Sequence, residues 1–238
     1  MMNTIVNLSL LLFGLIILVK GSDYFVKSAS SIAKVLGVSD FVIGLTIVAI
    51  GTSIPELASS VAAAFKGSSG LIIGNVVGSN IANIGLIIGL ASIVAVIKTD
   101  EEMLKRDGYI MILASVSFLV FIYDGTISMI EAVIFLLLYF AYIMFLLQIK
   151  SRYEVKYHFR EFIEYFLKFK YISGLYSKQS KDETSVERGD KKELSSKVLV
   201  LIISLTAVII GARFLIESTI YFANLLDIPE TLVGISLI

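Results

Sequence analysis

Cysteine is absent from the 238-residue sequence, and histidine occurs once, at His158. The first absence excludes disulfides and thiolate metal sites; the second argues against a zinc centre or a Ser/His/Asp triad. Charge is scarce as well: 17% of residues are charged against 57% hydrophobic, with a mean hydropathy of +0.89. A soluble domain is nearer half apolar. The composition implies a membrane protein whose main partner is the lipid bilayer, with no enzyme chemistry, no resident cofactor and no nucleic-acid partner expected. The first apolar stretch, Ile5 to Leu18, has neither a basic flank before it nor a small-residue cleavage site after it. It reads as a retained transmembrane helix and not as a signal peptide.

What is present is a series of long apolar runs. Spans of helical length occur at about 4–34, 39–66 (interrupted), 69–97, 107–123, 127–148 and 197–224, and a seventh begins at Pro229. The fold class is therefore all-α and polytopic. The formal net charge is zero, but its distribution sets a topology. With the N-terminus outside, the inside connections hold Lys34, then Lys98, Lys105 and Arg106, then a basic cluster from Lys150 to Lys197, whereas the outside connections hold little beyond Lys66. The expected location is a cell membrane, with the long polar segment cytoplasmic.

That segment, Gln148 to Lys197, carries 12 Lys/Arg and 8 Asp/Glu, half of the 40 charged residues. Its first part mixes Tyr and Phe with Lys and Arg at loosely helical spacing, which suits an amphipathic helix on an anionic leaflet. Its second part has almost no apolar residues and reads as a solvated linker.

An internal repeat organises the rest. Shifting the numbering by 190 lays Leu201–Ile238 on Leu11–Val48 without a gap, with seven identities in 38 pairs. Gly211 falls on Gly21, Ala223 on Ala33, Leu226 on Leu36 and Gly234 on Gly44, and the helix-start pair Pro229-Glu230 falls on Ser39-Asp40. An odd number of crossings separates the copies, so the second enters the membrane inverted, the arrangement that places transporter ion sites near the midplane. The expected organisation is a first five-helix repeat at 1–148, a linker at 149–196, and at 197–238 the start of a second, incomplete repeat.

The second span reads FVIGLTIVAIGTSIPELASSVAAAF, an apolar helix interrupted by Gly51, Thr52, Ser53, Pro55 and Glu56. Pro55 lacks an N–H and crowds the Gly51 carbonyl, so the helix is expected to break and leave carbonyl oxygens free at membrane depth. Thr52 and Ser53 lie four and three residues before Glu56, which can gather two hydroxyls and a carboxylate on one face. An ionised carboxylate there costs several kcal/mol unless a cation, proton or partner neutralises it. Lys66, near the far helix end, is expected to snorkel to water and to be a poor partner. In the third span Asn75, Ser79 and Asn83 recur every four residues, with a small-residue stripe of Gly74, Gly78, Ala82 and Gly85 beside them. The stripe suits close helix packing. Ser79 and Asn83 supply neutral oxygens of the kind calcium or sodium accepts, while Asn75 and Asn80 could equally satisfy broken backbone. Glu56 brings one negative charge, so Ca²⁺ calls for a second carboxylate. The repeat places that group at the counterpart of Glu56, beyond Ile238.

GTSIPE (Gly51 to Glu56) and GNVVGSNIANIG (Gly74 to Gly85) resemble the two parts of the first alpha-repeat of the calcium/cation antiporter superfamily, in particular prokaryotic sodium/calcium exchangers. The resemblance implies an inverted-repeat exchanger fold with a broken second helix. It implies first-repeat ligands at the Ala49 carbonyl, Thr52, Ser53, Glu56, Ser79 and Asn83. It also implies alternating access in which Na⁺ and Ca²⁺, as transported substrates, exclude one another from overlapping sites. On this reading the chain holds the first half of the ion site and needs a C-terminal half, from the same gene or a partner chain. The alternatives are a proton- or potassium-coupled cation exchanger, and a non-transporting half-transporter subunit or scaffold.

Overall fold

In a computed structural model of the chain, residues 2–38, 43–99, 101, 104–150, 159–170 and 191–237 are described. Ser39-Asp40 and most of the polar linker lie outside them. Every regular element among the described residues is helical. The chain forms two compact units, one of residues Met1–Val96 with Glu183–Ile238 and one of Ile97–Asp182. Packing thus divides the chain at places other than the repeat boundaries, which are statements of symmetry.

In the first unit, α1 (Met2–Val35) is followed by a π-helical stretch, Ile43–Val48, and then by α2 (Ala49–Thr52) and α3 (Ile54–Phe65). Next come α4 (Ser69–Ile81), a second π-helical stretch, Ala82–Ile88, and α5 (Gly89–Val94). The second unit holds a third π-helical stretch, Leu104–Gly108, then α6 (Tyr109–Phe121), α7 (Met129–Lys150) and α8 (Phe159–Leu167). The chain returns to the first unit with α9 (Lys191–Leu226) and α10 (Glu230–Leu237). Among the described residues five helices are long and apolar enough to cross a bilayer, and the bent pair Thr46–Thr52 plus Ile54–Phe65 passes the same test when it is taken as one broken span. Ile5, Phe13, Val120 and Ile202 are each more than half exposed, as are many other apolar side chains on these helices. In water such surfaces would aggregate; against lipid they are the ordinary exterior of a multi-pass protein.

The long helices α1 and α9 form the centre of the first unit, and their packing carries the inverted repeat. They run antiparallel: Thr4 Oγ1 lies 3.0 Å from the Tyr221 hydroxyl. A methyl group on Gly211 would come within 2.6 Å of Leu18 N and 2.8 Å of the Gly14 carbonyl, and one on Gly21 within 3.1 Å of Val208 N and 3.2 Å of the Ser204 carbonyl. Shifted by 190, Val208 is Leu18 and Ser204 is Gly14, so the crossing is the same contact made twice, as a pseudo-two-fold interface requires. The helix ends repeat as well. The Val38 N–H donates to the Ala33 carbonyl at 2.9 Å and the Ile228 N–H to the Ala223 carbonyl at 3.0 Å, five residues back in both cases. The turn residues are left-handed in both copies, Gly37 at φ 82° and Asp227 at φ 54°. These are equivalent Schellman-type caps.

Leu11, Leu18, Val208, Ala212 and Leu215 fill the α1–α9 seam, and Ala63, Leu71, Ile216, Ala223 and Val233 join α3, α4, α9 and α10. Here α4 and α10 meet almost backbone to backbone. Methyl groups on Gly74 and Gly78 would fall 2.4 Å from the Thr231 carbonyl oxygen and 2.6 Å from the Ile235 carbonyl oxygen. The small-residue stripe is therefore a packing surface over Gly74 and Gly78, and it ends before Gly85, which has nothing within 4 Å.

In the second unit a capping box opens α7: Ser128 N and Oγ donate to Glu131 Oε2 at 2.7 and 2.8 Å. The amphipathic stretch after α7 does contain a helix, α8, and one apolar face of it is docked on protein. Phe162 is 0% and Tyr165 6% exposed, packed with Ile110, Ala141 and Phe145.

Candidate functional site

The site is the break between α2 and α3. Ser53, at φ −99° and ψ 9°, leaves helical geometry, Pro55 stands in the first turn of α3, and the axis bends by 52°. Proline at that position costs the new helix nothing, because its N–H would have had no intrahelical partner. The unpaired carbonyls are fewer than the sequence predicts. Backbone N–H groups at the break turn back to the Ile50 and Gly51 carbonyls, the one from Ser53 to Ile50 at 3.0 Å. This tight last turn satisfies the Gly51 oxygen that Pro55 was expected to free. The Ala49 carbonyl instead accepts the Thr52 hydroxyl at 2.9 Å. Thr52 thus turns toward Ala49, one turn back, and both residues are exposed, as is Ser53.

Glu56 lies in the first turn of α3, where the helix dipole favours a negative charge. Its side chain is half-buried, and its Oε2 is fully enclosed with no hydrogen-bond partner among the described residues. Lys66 does not answer that charge. It pairs with Glu217 of α9 at 2.7 Å, and Arg213 joins the same carboxylate at 3.0 Å. Lys66 is a poor partner for Glu56, as expected, and its side chain stays 41% exposed, but it also holds an ion pair that was not foreseen; that partner lies 151 positions away in sequence, which no local pattern shows.

From α4, Asn75 reaches across to α3. Its Nδ2 donates to the Glu56 carbonyl and to Ser60 Oγ, both at 2.8 Å, and the residue is 1% exposed. Of the two roles open to Asn75, the structure shows the brace on the broken backbone. Ser60 is a member of this arrangement that sequence reasoning missed, although its position four residues after Glu56 put it on the right face. Asn75 Oδ1, like Glu56 Oε2, is buried without a partner among the described residues. Among the described residues Asn80 bonds to the Val76 carbonyl of its own helix, at 2.7 Å.

The polar stripe of the third span becomes progressively more open: Asn75 is buried, Ser79 half-buried and Asn83 exposed. Ser79 Oγ donates to the Val76 carbonyl at 3.2 Å, which leaves its lone pairs available. Asn83 sits in the π-helical stretch Ala82–Ile88, whose wider turn alters the regular four-residue register. Single-turn π distortions of this kind occur often at functional sites. The structure thus holds the Glu56 turn and the Asn75 turn in direct contact. Ala49, Thr52 and Ser53 lie on one side of the break, and Ser79 and Asn83 lie one and two turns beyond Asn75. Every donor in the set is an oxygen of a carboxylate, hydroxyl, amide or carbonyl, the chemistry of hard cations.

Comparison with known proteins gives the same direction. Residues 6–148 match the sodium/calcium exchanger protein family. The chain is 52% identical to the sodium/calcium exchanger MaX1 of Methanosarcina acetivorans over 98% of its own length and 70% of that protein's. It is 33% identical to an uncharacterized membrane protein of Methanocaldococcus jannaschii, with 98% and 67% of the two chains covered. Among solved structures it is similar to the sodium-calcium exchanger NCX_Mj soaked with Na⁺ and without Ca²⁺, at 29% identity and a TM-score of 0.51, covering 98% of this chain and 70% of that one. The matched span runs from α1 through the break at Pro55 and both polar helix faces to the end of α7, so the chain belongs to the sodium/calcium exchanger protein family.

Proposed function

We propose that Glu56 is the central ligand of a transported-cation site at which Na⁺ and Ca²⁺ compete, with the Ala49 carbonyl, Thr52, Ser53, Ser79 and Asn83 supplying further oxygens. The observation that carries this reading is the enclosed Glu56 Oε2, which has no protein partner among the described residues and stands at a helix break inside a membrane-crossing segment. A carboxylate in such a place costs several kcal/mol until a cation neutralises it. Among the described residues Thr52, Ser53 and Ser79 hold only local bonds or none, so modest rotations about single bonds turn their oxygens to an ion.

One carboxylate does not balance Ca²⁺, and a second acidic residue completes the site from outside the Glu56 cluster. Competition for the same carboxylates makes the process an exchange: Na⁺ and Ca²⁺ displace each other, and the empty site carries uncompensated charge that resists movement through hydrocarbon. Alternating access follows from this, with the N-terminus outside and the 149–196 linker cytoplasmic. The test is calcium uptake into proteoliposomes driven by an outward sodium gradient. Glu56→Gln abolishes uptake on this account, and replacing Na⁺ by choline stops it in the unaltered protein. Uptake that persists with Glu56→Gln contradicts the ligand assignment, and uptake that persists in choline contradicts sodium coupling.

A further inference from the structure

The α8 helix carries an exposed feature that the exchange site does not use. Its buried side rests on one end of the α6–α7 hairpin: the Phe159 and Tyr109 rings are 5.8 Å apart, Phe162 lies 5.5 Å from Phe145, and Tyr165 lies 5.6 Å from Phe145. Tyr109 opens α6, and Phe145 is the penultimate residue of the apolar span Met129–Leu146, so these contacts hold α8 at the height of a membrane boundary. Tyr109, Tyr142 and Tyr165 gather at this level, as aromatic side chains do at bilayer surfaces.

Beyond the docked face, the end of α8 turns outward. Leu167 is 66% and Phe169 58% exposed, and Phe169 has a left-handed backbone at φ 51°, unusual for a bulky side chain. Lys168 and Lys170 alternate with them, and both are exposed. Lys168 bonds to Glu164 and, with Lys170 and Arg160 nearby, holds that carboxyl below its usual range. The acid on this side is therefore kept ionised and paired. Two large apolar side chains interleaved with two lysines, fixed at boundary height, match a surface that offers hydrocarbon below and negative charge above.

We propose that Leu167–Lys170 is an anchor for an anionic phospholipid surface: Leu167 and Phe169 enter the acyl boundary, and Lys168 and Lys170 meet lipid phosphates. The chain contains no tryptophan, so Phe169→Trp creates a unique fluorescent reporter. The full chain carrying it is reconstituted into vesicles of phosphatidylcholine alone or mixed with phosphatidylglycerol, with brominated acyl chains as quenchers. The expected result is blue-shifted emission that loses most of its intensity to brominated lipid, more strongly with phosphatidylglycerol, and whose phosphatidylglycerol dependence disappears in Lys168→Gln/Lys170→Gln. Leu167→Trp gives the same reading if Phe169→Trp does not fold. Water-like emission without quenching overturns lipid contact, and equal quenching in both lipid mixtures overturns the assignment to anionic lipid.

Discussion

At the residue scale the account rests on Glu56 and Asn75, whose roles separate experimentally. Glu56→Gln keeps the size and the helix turn but removes the charge, so the protein should fold as before and exchange should fall to the level of empty vesicles. Asn75→Ala removes the donor to the Glu56 carbonyl and Ser60 Oγ. Leaving buried polar groups unmatched costs about 1–3 kcal/mol. The expected outcome is a lower midpoint in thermal unfolding in detergent, with Ca²⁺ protecting the variant less than the parent. Glu56 was legible in the sequence because a carboxylate in an apolar run is expensive, and no partner is needed to see that. The tasks of Asn75 and Lys66 were not, because each depends on what another helix places opposite: Ser60 for one, Glu217 for the other.

At the scale of elements, glycine decides how closely the helices approach. Gly78→Ala puts a carbon 2.6 Å from the Ile235 carbonyl oxygen, whereas Gly85→Ala meets nothing within 4 Å. Overpacking of this kind costs about 1–3 kcal/mol, so Gly78→Ala should destabilise and Gly85→Ala should be near neutral in the same unfolding assay. The spans themselves were plain in the sequence: a run of 18 or more apolar residues has few alternatives to a membrane helix. The interruption at Pro55 was equally plain, since proline removes a donor wherever it stands. The three π-helical stretches were not visible, because a π turn arises from packing and has no residue signature. For the same reason the stripe Gly74, Gly78, Ala82, Gly85 looked uniform in sequence, although Gly74 and Gly78 pack closely against α10 and Gly85 does not.

At the scale of the whole molecule, seven identities among 38 aligned pairs gave thin sequence support for the inverted repeat. The antiparallel α1–α9 crossing and the matched caps after Ala33 and Ala223 show it directly. The repeat also gives a symmetry test: Gly211→Ala and Gly21→Ala act on equivalent contacts and should both lower the unfolding midpoint, Gly211→Ala more because its neighbours are closer. The Lys66–Glu217 pair joins α3 to α9, with side chains 41% and 35% exposed. Pairs that exposed contribute about 0–1 kcal/mol, so Lys66→Gln should leave stability nearly unchanged. The central claim is that Glu56 holds the transported cation, and anomalous diffraction tests it most directly. In crystals soaked with Sr²⁺ in place of Na⁺, the account predicts a strong anomalous peak at coordination distance from a Glu56 oxygen, slightly beyond the about 2.3–2.6 Å of a calcium ligand because Sr²⁺ is larger, with Ser79 or Asn83 in the same shell. The peak should be lost in Glu56→Gln. Strontium bound elsewhere while the Glu56 carboxylate stays empty would contradict it.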